Sequence, residues 1–253
     1  MSRQFRLWLL LAGLAGTAAL LAWGFAPMPP FGEHPPFLGD VLNQAGVSDT
    51  NATNMVSAVN FDYRGADTMV EEFILFAAVA GVSLLLRELR EEREEPPEDA
   101  ARGRAPPATP ATVVVISILL AGSSLLIGAY ILATGALTAG GGFQVGVMFS
   151  TSLLVLYVAG RYQMFARMTS LDAMEQIEAA TAGLYPLVGV VGMVAGGAFL
   201  ANFLPHGTTG NIVSSGTIVV LNVVVGVEVG AGFIIIIDQF LEQALLIRSG
   251  GER

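Results

Sequence analysis

The sequence predicts an all-α integral membrane protein with about six transmembrane helices and both termini in the cytoplasm. Three observations predict this class. Hydrophobic residues make up 53% of the 253 residues and charged residues only 13%, whereas about a quarter of a soluble domain is charged. Six apolar runs are each long enough to cross a bilayer as a helix. All the arginines except Arg64 fall on one side of a membrane that is crossed six times, as expected for cytoplasmic segments.

The six apolar runs are separated by segments that contain the charges and most of the prolines. The predicted spans are Leu7–Phe25, Val70–Leu86, Thr112–Leu132, Phe143–Gly160, Ala182–Leu200 and Gly216–Ile237. An alternative for the first run is a secretory signal peptide, since two arginines precede it. That run is longer than the apolar region of a typical signal peptide, and no clean cleavage site of small residues follows it.

Charge and proline content divide the chain into three parts. Residues 1–88 form a two-helix module, 89–110 a charged, proline-rich linker, and 111–253 a four-helix module. The linker is expected to extend the second helix briefly and then to act as a flexible tether. Five prolines and two aromatic residues in 27–50 predict an extended loop on the outer face, with no helix through its first half. The apolar spacing in 161–180 predicts an amphipathic helix on the cytoplasmic surface.

Glu228 is a single carboxylate inside the last apolar run. A charged side chain at the centre of a bilayer costs at least about 3 kcal/mol, so an intramembrane carboxylate is first taken as an ion-handling residue. The alternative is a protonated side chain that hydrogen-bonds a neighbouring helix. Asn222, Gly226 and Gly230 recur every four residues and form a stripe along which another helix can pack closely. Asn222 is the second polar group of this run.

A polar segment, 60–72, precedes the second apolar run. Asp67 or Thr68 is expected to cap the helix, with Glu71 as the partner of a Thr68 cap. Capping does not explain the charges of Asp62, Arg64 and Asp67 together. These three residues therefore suggest a salt-bridge network or a docking site for a partner subunit.

Three glycines open the fourth apolar run. Gly140, Gly141 and Gly142 allow close backbone approach or a broken helix start, and Gln144 adds a donor and an acceptor at the helix mouth. A tight turn followed by close packing is the simpler alternative.

Several function classes are excluded or disfavoured. The chain has no cysteine, which excludes disulfides and thiolate ligands. It lacks metal-ligand spacing, a nucleophile–base pair, a phosphate loop and a basic nucleic-acid footprint. We therefore expect a transporter subunit rather than an enzyme, with no cofactor, no bound metal and no nucleic-acid partner.

The polar segments resemble known families. Asn60–Glu71 resembles the DFRGFDTxxE-type stretch near the C-terminus of the large A subunit of Mrp cation/proton antiporters and in the E-type subunit of archaeal membrane-bound hydrogenases. Gly140–Gln144 and Ser215–Phe233 resemble the GGGFQ stretch and the final helix of the Mrp B subunit, or MnhB domain. Ala66, Ala139, Val145 and Val219 depart from these patterns. The chain is thus similar to an E-type module fused to a B-type module.

The resemblance implies a multi-pass subunit of a cell-membrane complex that couples Na⁺ and H⁺ movement. It implies partners of the Mrp A, C, D, E, F and G types within the lipid bilayer. The candidate residues of an ion pathway are Glu228, Asn222, Gln144, Glu71 and Asp67. The candidate structural or interface residues are Asp62, Arg64, Thr68, Gly140, Gly141 and Gly142. The alternatives are the same subunit in a hydrogenase or sulfur-reducing respiratory complex, and a scaffold without an ion path.

Overall fold

The computed structural model describes residues 3–28, 37–91 and 109–250. The chain separates into two compact units, Met1–Val41 and Leu42–Arg253. The first unit contains α1 (Arg3–Phe25), in which none of the side chains whose burial is described is buried. A second helix, α2 (Phe37–Thr50), runs across the division between the units. An apolar helix without a buried side chain is suited to a lipid environment.

The second unit is a bundle of long helices with short elements at one end. After α2 come the single turn α3 (Met55–Ala58) and a π-helical turn (Val59–Tyr63). The long helices are α4 (Gly65–Glu91), α5 (Ala111–Ala133), α6 (Gly142–Met168), α7 (Leu171–Gly196) and α8 (Thr217–Gly250). We call the end where α4, α6 and α8 begin the loop end, and the end where α5 and α7 begin the far end.

Six helices in the described part of the chain are long and apolar enough to cross a membrane: α1 and α4 to α8. The predicted all-α class and helix count are therefore confirmed. Helix α8 lies at the centre of the second unit, with 67% of its span buried compared with 17% for α5. Helices α4, α6 and α7 pack against α8, and α5 packs mainly on α6. Asn222 and Glu228, the polar groups predicted on this helix, are consequently buried.

Small residues bring α6 and α8 into backbone contact; the sequence predicted close approach at both glycine motifs but did not pair them. A Cβ on Gly142 would overlap the Asn222 carbonyl oxygen and lie 2.7 Å from the Gly226 amide nitrogen. One turn further on, a Cβ on Gly146 would lie 2.7 Å from the Gly230 amide nitrogen. Close backbone approach of this kind is the usual packing mode of small residues in membrane helices.

The predicted surface helix between the fourth and fifth spans is wrong. Helix α6 continues to Met168, and α7 begins at Leu171, so the segment 161–180 belongs to the two long helices. Helix α7 ends at Gly196 instead of Leu200, because Gly197 adopts the left-handed conformation with φ of 84°. Because α7 begins at Leu171, Glu178 lies inside the bundle and not in a helix on its surface.

Two further expectations for the first module need correction. The second half of the predicted loop, 37–50, is the helix α2, and its proline-rich part, 29–36, lies outside the described residues. Thr68 does not cap α4, which begins three residues earlier at Gly65. The Thr68 hydroxyl instead donates to the Asn60 carbonyl at 2.8 Å. As predicted, α4 extends beyond its span, to Glu91, and 92–108 lies outside the described residues.

Two buried or half-buried asparagines hold the connections at the loop end. Asn54 donates to the carbonyl oxygens of Gly135, Thr138 and Gly140 at 2.7, 2.8 and 3.0 Å, and so fixes the segment between α5 and α6. Asn202 accepts hydrogen bonds from the amide and hydroxyl of Thr217 at 2.8 and 2.9 Å, and so caps α8. Neither asparagine was selected from the sequence.

Candidate ion-binding site

A cavity of ≈ 380 Å³ opens at the loop end, between the two segments that the sequence marked as polar. On one side it is lined by α3, the π-helical turn and α4; on the other, by the glycine segment, the start of α6 and α8. The lining residues are Val56, Ser57, Asn60, Phe61, Thr68, Glu71, Glu72, Gly140, Gly141, Gly142, Phe143, Gln144 and Val225. The cavity therefore brings both motifs together.

Three carboxyl groups lie together behind this cavity. Glu72 on α4, Glu178 on α7 and Glu228 on α8 are 4%, 5% and 0% exposed. Glu228 interacts electrostatically with both of the others. Both carboxyl oxygens of Glu228, Oε2 of Glu72 and Oε1 of Glu178 have no hydrogen-bond partner within the described ranges. We call these three residues the carboxyl cluster.

Helical spacing explains why each side chain points inward. On α4, Thr68, Glu72 and Val79 are buried at intervals of four and seven residues. On α7, the buried residues Glu178, Ala182, Tyr185, Gly189 and Gly192 alternate intervals of four and three. The Tyr185 hydroxyl donates to the Gly65 carbonyl at 3.0 Å. This bond anchors α7 to the start of α4, and so holds the Glu178 face of α7 toward the bundle centre.

Glu178 occupies space that a glycine of α8 leaves open. A Cβ on Gly232 would lie 3.3 Å from Glu178 Oε1 and 3.1 Å from Val79 Cγ2. Gly232 is one turn beyond Glu228 on the same helix, so the two glutamates come from neighbouring helices at adjacent levels. The absence of a side chain at Gly232 thus admits a carboxyl group between α4, α7 and α8.

The chemistry of the carboxyl cluster follows from its missing partners. An unpaired carboxylate in a low-dielectric interior costs several kcal/mol or more, so its charge must be balanced by a proton or a cation. Within the described residues, no group of three or more histidine, aspartate or glutamate side chains is arranged to hold a metal ion. The three carboxyl groups therefore form neighbouring sites and not one ligand cage.

The residues predicted to form an ion pathway fall into two groups. Glu71 and Gln144 are exposed and line the cavity, and Glu228 lies behind it. Asn222 Oδ1 instead accepts a hydrogen bond of 2.6 Å from the amide of Gly142, so this side chain caps the start of α6. This hydrogen bond requires the start of α6 to lie against α8. Gly140, with φ of 122°, forms the turn that places Gly142 there.

The charged residues around the start of α4 lie at or near the surface. Arg64 and Asp67 form an ion pair in which both side chains are more than half exposed. An exposed pair of this type contributes at most about 1 kcal/mol to stability. Asp62 is half-buried, and burial raises its pKa, with the nearby His206 lowering it and Asp49 raising it further. Asp67 therefore lies apart from the carboxyl cluster, and its assignment to an ion pathway stays a prediction.

Two members of the carboxyl cluster were missed by sequence reasoning. Glu71 was chosen over Glu72, although the interval from Thr68 to Glu72 continues to Leu75 and Val79 as one helical face. Glu178 was assigned to a surface helix, although it begins the inward face of α7 that includes Tyr185. The signal in both cases was the helical periodicity of the buried face, which for Glu178 continues outside the predicted apolar run.

The family model for a domain related to the MnhB subunit of Na⁺/H⁺ antiporters matches residues 111–235. An uncharacterized protein of Methanocaldococcus jannaschii is 31% identical over 213 residues, which cover 76% of this chain and 78% of the relative. A chain of the membrane-bound sulfane sulfur reductase, an archaeal respiratory membrane complex, aligns over 94% of this chain and 99% of its own length, with 27% identity and a TM-score of 0.69.

A chain of the Mrp complex of Dietzia sp. DQ12-45-1b has the same fold, with a TM-score of 0.61 and 23% identity. The alignment covers all of this chain and 27% of the longer chain. Fold and site together define a multi-pass membrane protein with carboxyl groups buried between its helices. The chain belongs to the MnhB-related family. It is a membrane subunit of a Na⁺/H⁺ antiporter-type complex.

Proposed function

We propose that this subunit carries ions between the cavity and the carboxyl cluster within a multisubunit Na⁺/H⁺ antiporter. The observation that carries the proposal is the burial of Glu228, whose two carboxyl oxygens have no hydrogen-bond partner among the described residues. A packing role would be served by a hydrogen-bonded acid or by an apolar residue, whereas an unpartnered carboxyl group can exchange a proton or a cation.

The cavity provides the approach to Glu228. Glu72 belongs both to the cavity lining and to the carboxyl cluster, and Val225 lines the cavity one turn before Glu228 on α8. Exposed Glu71 places a further carboxylate at the mouth, where a cation from solvent is attracted. With the orientation predicted from the arginines, this mouth faces the outside of the cell.

We further propose that residues 1–88 are an E-type module and residues 111–253 a B-type module, joined by the linker 89–110. The proposal is supported by the sulfane sulfur reductase chain, which matches nearly the full length of this one. In the described ranges α4 packs against α7 and α8, and so the two modules share one core. The partners would be subunits of the Mrp A, C, D, E, F and G types, and the subunit itself would have no enzymatic activity.

The test is Glu228→Gln in the assembled complex. Glutamine has the size of the carboxyl group but cannot release a proton or hold a cation by charge. We expect Na⁺-dependent proton flux in vesicles to fall at least about tenfold, in line with the loss of an essential proton-transfer group. Copurification of the other subunits should be unchanged, because an uncharged, isosteric side chain fits the same buried position.

Asp172→Asn is the control, since Asp172 is an exposed acid at the far end of the bundle. Its flux should equal that of the unaltered complex. Normal flux in a fully assembled Glu228→Gln complex would contradict the proposed role of the carboxyl cluster and would leave the subunit a scaffold.

A second candidate is membership of a sulfur-reducing respiratory complex. The observation that favours it is the sulfane sulfur reductase alignment, which has the greater identity and TM-score of the two structural matches. The two candidates differ in their partners, because a respiratory complex carries redox subunits. Purification of the native complex followed by metal analysis for iron and nickel distinguishes them.

A further inference from the structure

The carboxyl cluster extends across the bundle, from the loop end toward the far end. At a rise of about 1.5 Å per residue, Glu72 lies about 10 Å along α4 from the loop end, and Glu228 about 16 Å along α8. Glu178 belongs to the antiparallel helix α7 and lies about 10 Å from the helix start at the far end. Glu72 lines the cavity, and Glu178 Oε1 lies beside Gly232, one turn beyond Glu228 on α8, so the cluster continues from the cavity toward the far end.

An exposed acid continues this series at the far end. Glu175 precedes Glu178 by three residues, interacts with it electrostatically, and is exposed. The first and last acids of the series, Glu71 at the cavity mouth and Glu175 at the far end, are thus exposed. The acids between them are buried: Glu72, Glu228 and Glu178. A line of ionisable groups with solvent at both ends has the form of a relay and not of a binding pocket.

The arrangement favours a proton over a metal cation as the ion that moves along this line. Among the described residues no three carboxyl groups are arranged as one metal-ligand cage, whereas a bound Ca²⁺ takes about six to eight oxygen ligands. A proton needs only one acceptor at a time. The free oxygens of Glu228 and Glu178 provide such acceptors, and Glu178 Oε1 lies in the space at Gly232, one turn beyond Glu228.

This inference rests on the function proposed above. We propose that a proton path runs from the cavity through Glu72 and Glu228 to Glu175, and that Glu178 is its last buried group, which passes the proton to Glu175. In each step the O–H bond of a carboxylic acid breaks and a new O–H bond forms on the next carboxylate, directly or through an intervening water. The donor becomes a carboxylate and the acceptor an acid, so charge and atoms balance. Glu175 finally releases the proton to water at the far end.

Glu178→Gln tests the path in the assembled complex, reconstituted in lipid vesicles with a pH-sensitive dye. We expect Na⁺-dependent proton flux to fall at least about tenfold, as in Glu228→Gln, because one relay group is removed. Glu178→Asp keeps an acid and should restore most of the flux. Asp172→Asn, on the same helix but exposed, should leave the flux unchanged.

The outcomes separate this inference from the proposed function. Loss of flux in Glu228→Gln with normal flux in Glu178→Gln would overturn the exit role of Glu178 and leave the ion role of the subunit intact. Normal flux in both variants would overturn both. A loss in Glu178→Gln that Glu178→Asp does not reduce would point to packing and would count against the relay.

Carbodiimide labelling of the unaltered complex gives a result that does not depend on the folding of a variant. This reagent forms adducts with protonated carboxyl groups in apolar surroundings, and peptide mass spectrometry locates the adducts. We expect adducts at Glu178 and Glu228, and protection of both when the pH is raised. An adduct at Glu228 without one at Glu178 would overturn the proposal.

Discussion

Gly142→Val is expected to separate α6 from α8 and to prevent stable incorporation of the subunit. A Cβ at this position would overlap the carbonyl oxygen of Asn222 and crowd the amide of Gly226, both of which are backbone atoms of a rigid helix. Overpacking usually costs about 1–3 kcal/mol and more where backbone must move, so we expect about 3 kcal/mol or more here. The displacement would also break the hydrogen bond from the Gly142 amide to Asn222.

The measurement is the amount of subunit that copurifies with the complex, together with the free energy of unfolding in mixed detergent. Gly122→Val is the matched control: Gly122 lies within α5 and a Cβ there would meet no atom within 4 Å. The control should retain close to normal assembly. Equal stability of the two variants would mean that the α6–α8 contact is looser than the structure describes.

Asn54→Asp is expected to destabilise the loop end by about 3–5 kcal/mol, the usual cost of an uncompensated buried charge. The Asn54 amide nitrogen donates to the carbonyl oxygens of Gly135, Thr138 and Gly140 and to the Ser57 hydroxyl. Aspartate has the same shape but offers only acceptors when ionised, so an oxygen would face three carbonyl oxygens. The α5–α6 connection, and with it the cavity wall at Gly140, would lose its support.

Asn202→Asp makes the same chemical change where it should be tolerated. The Asn202 oxygen already accepts two hydrogen bonds from Thr217 at the start of α8, and a negative charge is favourable at a helix N-terminus. Only the bond of 3.1 Å to the Ser215 carbonyl is lost. Thermal unfolding of the two complexes should therefore differ clearly. A destabilisation of the same size at both positions would contradict the roles assigned to these amides.

Much of the fold could be predicted from the sequence because membrane solvation makes strong local demands. Each apolar run must form a helix that satisfies its own backbone, so the six spans could be counted directly. The small-residue stripe of α8 was also predictable, since intervals of four residues place Asn222, Gly226 and Gly230 on one helical face. The partner of that stripe, the Gly142 and Gly146 face of α6, was identified only in the tertiary structure.

The candidate site was predictable only in part, and the errors in predicting its residues have one physical cause. Successive residues on an α-helix are rotated by about 100°, so choosing Glu71 over Glu72 selects a different face. The start of α4 at Gly65 and the Thr68 bond to Asn60 set that rotation, and both depend on the π-helical turn. Glu178 was assigned to a surface helix because the predicted apolar run begins only at Ala182. Helix α7 begins earlier, at Leu171, and its buried face already includes Glu178.

The sequence by itself determined that this protein is a six-helix membrane subunit with a carboxyl group, Glu228, that hydrophobic burial alone cannot explain. That conclusion depends on the local free energy of transferring one segment into lipid. Only the tertiary structure decided which groups surround Glu228, because Glu72 and Glu178 come from helices far apart in the chain and are brought near it by packing around α8. Helix formation is local, whereas the rotation and level of each helix follow from the contacts of all the others.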